Sequence, residues 1–284
     1  MQRLLTAAVA TPLVLAAVFL LPGFWFFVFI TFLTEWAVWE YVAIVRQRAP
    51  HAPFGLLLGL VPLAAAGLSW WLSSEATPMQ AGLPLLAAAA IMSVGIGTLV
   101  LFSRTPLEET LTALGVFGFG VPYFAVAIAS MYRIQQTANP GGEPRQGPWL
   151  VVLLMAIVWL GDTAAYYIGS RWGRHKMAPV ISPKKSWEGA AAGFLTGLVA
   201  AVAWSFLRVG RLDPRILAVA AVTAVAAQVG DLVESMIKRG AGVKDSGTVL
   251  PGHGGFLDRL DAMLFAAPVL LIGLWALRLD GLAR

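Results

Sequence analysis

Hydrophobic residues fall along this chain in long blocks of similar length, separated by short polar gaps. The blocks lie near residues 3–21, 24–45, 54–73, 82–102, 110–131, 149–170, 188–208, 215–238 and 262–279. Each approaches or exceeds the roughly 20 residues a helix needs to cross a bilayer core about 30 Å thick. Lipid offers no partner to a free backbone N–H or C=O, so a spanning segment is a helix or part of a closed barrel. The blocks are Ala- and Leu-rich and lack the strict alternation of a barrel strand. The pattern therefore predicts nine transmembrane helices. The first block follows Arg3 and contains "TAAVA", which resembles a cleavable secretory leader. The run continues to Leu21, however, and "LPG" leads straight into the second block, which predicts a retained helical hairpin.

Composition strengthens this reading. Hydrophobic residues make up 58% of the 284 and charged residues only 12%, with a mean hydropathy of +0.77; soluble domains carry about 25% charged residues. The fold class is all-α, a polytopic integral membrane protein of about nine transmembrane helices. A separate soluble domain is not expected, because the polar stretches are short. Without cysteine there is no disulfide or thiol chemistry. The sequence pI near 9.8 suits Lys and Arg facing an anionic leaflet. No basic block is long enough to suggest nucleic acid. With the N-terminus in the cytoplasm, 13 of the 20 Lys and Arg fall on inside segments, which favours that orientation. Two loops carry most of this bias, and both also have chemical reasons to be basic.

The chain divides by character. Residues 1–131 are spans with short loops, a scaffold that could also serve lipid access or dimer contacts. "QQTANPGGEPRQGP" then interrupts regular structure with Pro and Gly. In 149–284 polar residues appear within and beside the spans, so this is the expected catalytic region.

Ionisable groups at membrane depth are costly and mark functional candidates. Asp162 lies inside the sixth block, in "WLGDTAAYYIGSRWGRHK". In "ISPKKSWEGAAAG", Ser182 or Ser186 could cap the seventh helix, and Lys184 and Lys185 precede its start. The free N–H groups and dipole of a helix N-terminus favour a phosphate. Glu188 falls near the second position of that helix, where a carboxylate also suits the dipole. In the eighth block Gln228, Asp231, Ser235 and Lys238 are spaced three, four and three, which puts them on one stripe with Glu234 beside it. Such a stripe must face protein or a wet cavity.

The fourth candidate is "KRGAGVKDSGTVLPGHGGFLDRLD", residues 238–261. Asp245, Asp258 and Asp261 are hard oxygen donors suited to Mg²⁺. Lys238, Arg239, Lys244 and Arg259 suit phosphates. Gly254 and Gly255 let backbone come close to a ligand, and His253 could be ligand, acid–base group or hydrogen-bond donor. Acids, bases and glycines at a membrane surface describe a place for a metal–polyphosphate complex, where catalysis is mostly positioning and charge stabilisation.

"SMIKRGAGVKDSGTVLPGHGGFLDRLD", residues 235–261, resembles the signature of the phosphatidate cytidylyltransferases, also called CDP-diglyceride synthases. Ser, two residues, Lys-Arg, four residues, Lys-Asp, then Pro before His-Gly-Gly, then Asp-Arg-x-Asp, all stand at the family's spacing. "GDTAAYYIGSRWGRHKMAPVISPKKSWEG" resembles the segment that precedes it, with Ser186 where Thr is common. The resemblance implies that CTP and phosphatidate give CDP-diacylglycerol and pyrophosphate, with Mg²⁺ or two cations. It also implies a homodimer embedded in membrane lipid, in the cell (inner) membrane, with its active site facing the cytoplasm. Asp231, with Asp258 or Asp261, would belong to the metal site. The Ser-Pro-Lys-Lys-Ser stretch and Lys238, Arg239 and Lys244 would contact substrate phosphates. The candidate catalytic set is Asp231, Asp258, Asp261, Lys244 and His253; the candidate substrate-binding residues are Asp162, Ser182, Lys184, Lys185, Ser186, Glu188, Ser235, Lys238, Arg239, Asp245, Gly254, Gly255 and Arg259. Acids, lysines and glycines alone would equally serve a CTP-dependent lipid kinase, and membrane carboxylates an ion-coupled transporter. No paired halves with matching broken helices, the mark of many transporters, are visible. The sequence assigns no role to Glu35 or Glu40, and the first 130 residues share only hydropathy with the family.

Overall fold

The structure, a computed structural model, describes residues 2–73, 78–137, 146–247, 249 and 254–279. Among these residues the chain forms α1 (Gln2–Leu20), α2 (Gly23–Val45), α3 (Leu57–Ser73), α4 (Pro78–Phe102), α5 (Leu107–Gln135) and α6 (Gln146–Trp172). A short antiparallel hairpin follows, β1 (Lys176–Ala178) and β2 (Ser182–Ser186), and then α7 (Trp187–Val209), α8 (Pro214–Gly240) and α9 (Leu257–Ala276). Among the described residues, seven segments are long and apolar enough to cross a membrane: α2, Phe54–Ser73 with its leading 3-10 turn, and α5 to α9. The described apolar parts of α1 and α4, Ala8–Leu20 and Ala89–Phe102, are shorter. The protein is a polytopic helical membrane protein.

Proline and small polar residues set the helix starts. Pro22 and Pro106 stand immediately before α2 and α5 in extended backbone. Pro214 opens α8, where its missing N–H costs nothing, and the Asp213 carboxylate caps that end by accepting from Arg215 N at 2.9 Å. Gly210, at φ +76°, ends α7 in the left-handed region.

α5 is central and packs on α2, α3, α6 and α9. The regions 1–131 and 149–284 therefore share one interior, in which Phe54, Phe117, Phe124, Leu154 and Leu257 are buried. Close approach is built from small residues. On α7, Gly189, Gly193 and Gly197 recur every four positions; Gly189 and Gly193 face Gly161, Ala165 and Gly169 of α6, and Gly197 meets Ile157 of α6 and Ala224 of α8. A Cβ on Gly193 would lie 2.8 Å from the Gly161 carbonyl oxygen, and one on Gly189 2.7 Å from that of Ala165. Backbones that touch in this way are a common means of helix association in lipid. Gly230 does the same between α8 and α9, where a Cβ would fall 2.8 Å from the Asp261 carbonyl oxygen.

Two local features differ from the sequence expectation. The polar connection after α6 pairs as a hairpin, with Lys176 opposite Ser186 and Ala178 opposite Ser182. The last helix begins at Leu257 rather than near 262. Charged Asp258, Arg259 and Asp261 hide that start from a reading based on apolar runs, yet helical residues at a membrane surface can be charged.

Candidate active site

The ends of α8, α9 and the hairpin meet in one place. α8 presents Asp231, Glu234, Ser235 and Lys238, the last three buried; α9 brings Asp258 and Asp261 in its first turns. One carboxylate oxygen from each of Asp231, Glu234 and Asp261 lies within 4.8 Å of the other two. Asp258 lies outside this trio but beside Glu234, with which it shares Lys238. Its Oδ1 is 2.5 Å from Lys238 Nζ, and its Oδ2 accepts from Ser246 N at 3.2 Å and Gly255 N at 3.0 Å. Lys238 also lies 2.6 Å from Glu234 Oε2, so it bridges the acid trio to Asp258.

The hairpin delivers a second ammonium group. Lys185, on β2, sits 2.7 Å from Asp231 Oδ2. Arg239 ties the end of α8 to the same hairpin by donating to the Ile181 carbonyl at 3.3 Å and to that of Val243 at 2.9 Å. Ser186 is the N-cap of α7 and accepts from Gly189 N at 3.2 Å. Glu188 is engaged by His175, whose Nδ1 lies at 2.6 Å and whose backbone N–H donates at 3.2 Å. Gln228, first on the α8 stripe, donates to the Ala190 carbonyl at 2.9 Å and holds α8 against α7. The whole stripe thus faces protein or the site.

Asp162 is exposed on α6, within electrostatic reach of Asp231, Lys185 and Arg259. Lys184, Lys244, Asp245 and Arg259 are exposed, and Ser182 is half-buried in β2. Gly254 takes φ +80°, and a Cβ there would meet Asp258 Oδ2 at 3.2 Å. His253 lies outside the described residues.

Sequence reasoning placed Glu234 only beside the stripe, and its part in the trio went unseen; the i, i+3 spacing from Asp231 was the available signal. It had nothing to find Glu40 with. This α2 carboxylate is buried, and it accepts from Ser246 Oγ, Phe256 N and Leu257 N. Tyr123 of α5 was also missed. Its ring packs 5.6 Å from that of Phe265, its hydroxyl has no hydrogen-bond partner among the described residues, and the charges of Asp261 and Glu234 reach it.

The donor set fits Mg²⁺. Three hard carboxylate donors converge, and buried Glu234 Oε1 has no hydrogen-bond partner among the described residues. Two ammonium groups, Lys185 and Lys238, face four carboxylates, Asp231, Glu234, Asp258 and Asp261. Two negative charges are left over, the amount one divalent cation offsets.

A family model described as the cytidylyltransferase family matches residues 1–277, so the likeness runs through the first 130 residues as well and is not confined there to hydropathy. Among curated proteins, the chain is 32% identical to a phosphatidate cytidylyltransferase of Haemophilus influenzae, over 94% of this chain and 96% of that protein. It is 33% identical to one of Pseudomonas aeruginosa, over 97% of each. It is 34% identical to one of Staphylococcus aureus, over 67% of this chain and 73% of that protein.

Proposed function

The chain belongs to the cytidylyltransferase family, and from that premise we propose that it transfers the cytidylyl group of CTP to phosphatidate. A phosphate oxygen of the lipid attacks the α-phosphorus of CTP. The bond from that phosphorus to the bridging oxygen of the β-phosphate breaks, pyrophosphate leaves, and CDP-diacylglycerol remains in the membrane. The observation that carries this reading is the convergence of Asp231, Glu234 and Asp261 with Lys185 and Lys238 where two membrane helices meet a basic hairpin.

Asp231, Glu234 and Asp261 would hold the Mg²⁺ ion, which when bound neutralises phosphate charge and orients the reacting groups. The chain's own side chains do the rest. Lys184, next to Lys185 in β2, and Lys244, in the loop after α8, are exposed and would offer cations to the nucleotide phosphates. Lys185 and Lys238 are held by carboxylates, so their charge is fixed in place before substrate arrives. Gly254 lets the backbone approach a ligand without a side chain in between. The membrane setting suits the substrates, because phosphatidate stays in the bilayer while CTP is a soluble polyanion. The same reading puts the site on the cytoplasmic face of the inner membrane and the enzyme in a homodimer.

Purified protein in mixed micelles with Mg²⁺ and phosphatidate should move label from α-³²P-CTP into the organic phase. With γ-³²P-CTP the label should appear only in aqueous pyrophosphate. Lipid labelled from the γ position and not from the α position would show a kinase and overturn the assignment.

A further inference from the structure

We propose that Glu40 is a positioning residue for this reaction: α2 uses its carboxylate to hold Ser246 and the start of α9, which sets Asp258 against Lys238. α2 lies in the region to which the sequence assigned no chemistry. Glu40 is nonetheless 1% exposed and fully engaged with residues more than 200 positions away. Oε2 accepts from Ser246 Oγ at 2.7 Å and Leu257 N at 2.8 Å, and Oε1 accepts from Phe256 N at 2.9 Å. Phe256 and Leu257 open α9, so Glu40 takes up two backbone donors that the helix itself leaves unsatisfied. The surrounding backbone is shaped around this group. A Cβ on Gly247 or on Gly255 would lie 2.5 Å from a Glu40 carboxylate oxygen.

From Glu40 the connection continues to the acids. Ser246, which donates its hydroxyl to Glu40, donates its N–H to Asp258 Oδ2 at 3.2 Å. Asp258 holds Lys238, and Lys238 lies against Glu234 of the trio. Glu40 touches none of the trio, so its effect passes through the placement of Asp258 and Lys238. Only a carboxylate can accept at both oxygens; the amide of Gln would turn an N–H group toward a donor. Such supporting partners cost roughly 10- to 100-fold in metal affinity or activity when removed.

The kinetic half of the test rests on the cytidylyl-transfer reading; the exchange half does not. Full-length Glu40→Gln and Glu40→Asp are compared with wild type in mixed micelles. Amide hydrogen exchange is followed at residues 254–260, and initial rates are measured across CTP, phosphatidate and Mg²⁺. In Glu40→Gln, exchange at Phe256 and Leu257 should accelerate at least about tenfold and kcat should fall roughly 10- to 100-fold. The Mg²⁺ concentration for half-maximal rate should rise severalfold, a parameter that a smaller folded fraction does not move. Glu40→Asp should recover part of each effect. A lower melting temperature with wild-type exchange at Phe256 and Leu257 and wild-type Mg²⁺ dependence would overturn the proposal. Should Glu40→Gln fail to fold, Ser246→Ala removes one of the three donors and should shift exchange and Mg²⁺ dependence in the same direction; wild-type values for both would equally overturn it. If wild-type protein transfers no cytidylyl group, the functional reading falls, while the exchange rates still decide whether Glu40 clamps α9.

Discussion

Lys238 lies between two carboxylates, 2.6 Å from Glu234 and 2.5 Å from Asp258, and is itself buried. Lys238→Met keeps most of the volume but strands both acids. The expected cost is about 3–5 kcal/mol, the usual penalty for breaking a buried pair from one side, read as a lower melting temperature in detergent. The trio predicts a different signature. Asp231→Asn, Glu234→Gln and Asp261→Asn each remove one charge and little volume. Each should lower the rate about 10²-fold, equivalent to roughly 2.7 kcal/mol, with the protein still inserted and extractable. Asp213→Asn is the control: it lies at the far end of α8, and Asn is an equally good cap. Near-normal rates in all three trio variants would refute the metal assignment. Asp231 was legible as a candidate because a carboxylate in an apolar run is expensive, and Asp261 because the signature spacing included it. Glu40 was not, since its meaning depends on partners far along the chain and no local pattern surrounds it.

At the scale of elements, the junction of β2 and α7 makes the next prediction. Ser186→Ala removes the cap on Gly189 N and should cost about 1 kcal/mol, while Ser186→Thr should cost much less. Gly193→Val should do more harm, because its Cβ would press on the Gly161 carbonyl and push α7 from α6. Since Lys185 immediately precedes this junction, the Gly193 variant should lose activity beyond its loss of melting temperature. Equal losses in Gly193→Val and in a variant at exposed Leu195 would count against that coupling. Seven of the nine expected spans are long enough among the described residues, and they were readable in the sequence because about 20 consecutive apolar residues have few alternatives in lipid. The hairpin was not: three and five residues of mixed polarity give no period to detect. The small-residue repeat on α7 was present in "GAAAGFLTG" and went unread, because its meaning lies in the matching small residues of α6.

At the scale of the molecule, orientation can be tested directly because the chain has no cysteine. Val180→Cys in the hairpin turn and Asp245→Cys after α8 should resist a membrane-impermeant thiol reagent in intact cells, while Leu212→Cys between α7 and α8 should react. Labelling of Asp245→Cys from outside would reverse the topology and remove CTP from reach of the site. The larger lesson concerns the division of the chain. Hydropathy separates 1–131 from 149–284 by character, yet α5 packs on α9 and α2 reaches the loop before it, so the candidate site draws on both regions.

The bond from Glu40 to Ser246 spans 206 positions, and this has a consequence for how the protein is made. During synthesis α2 leaves the ribosome long before α9 exists. Until α9 is made, the Glu40 carboxylate lacks the Phe256 and Leu257 donors that hold it in the folded protein. The candidate site is therefore completed only once α9 is in place. A nascent chain stalled before Ser246 would be an inserted bundle carrying an orphan acid, a substrate for membrane quality control rather than a slower enzyme.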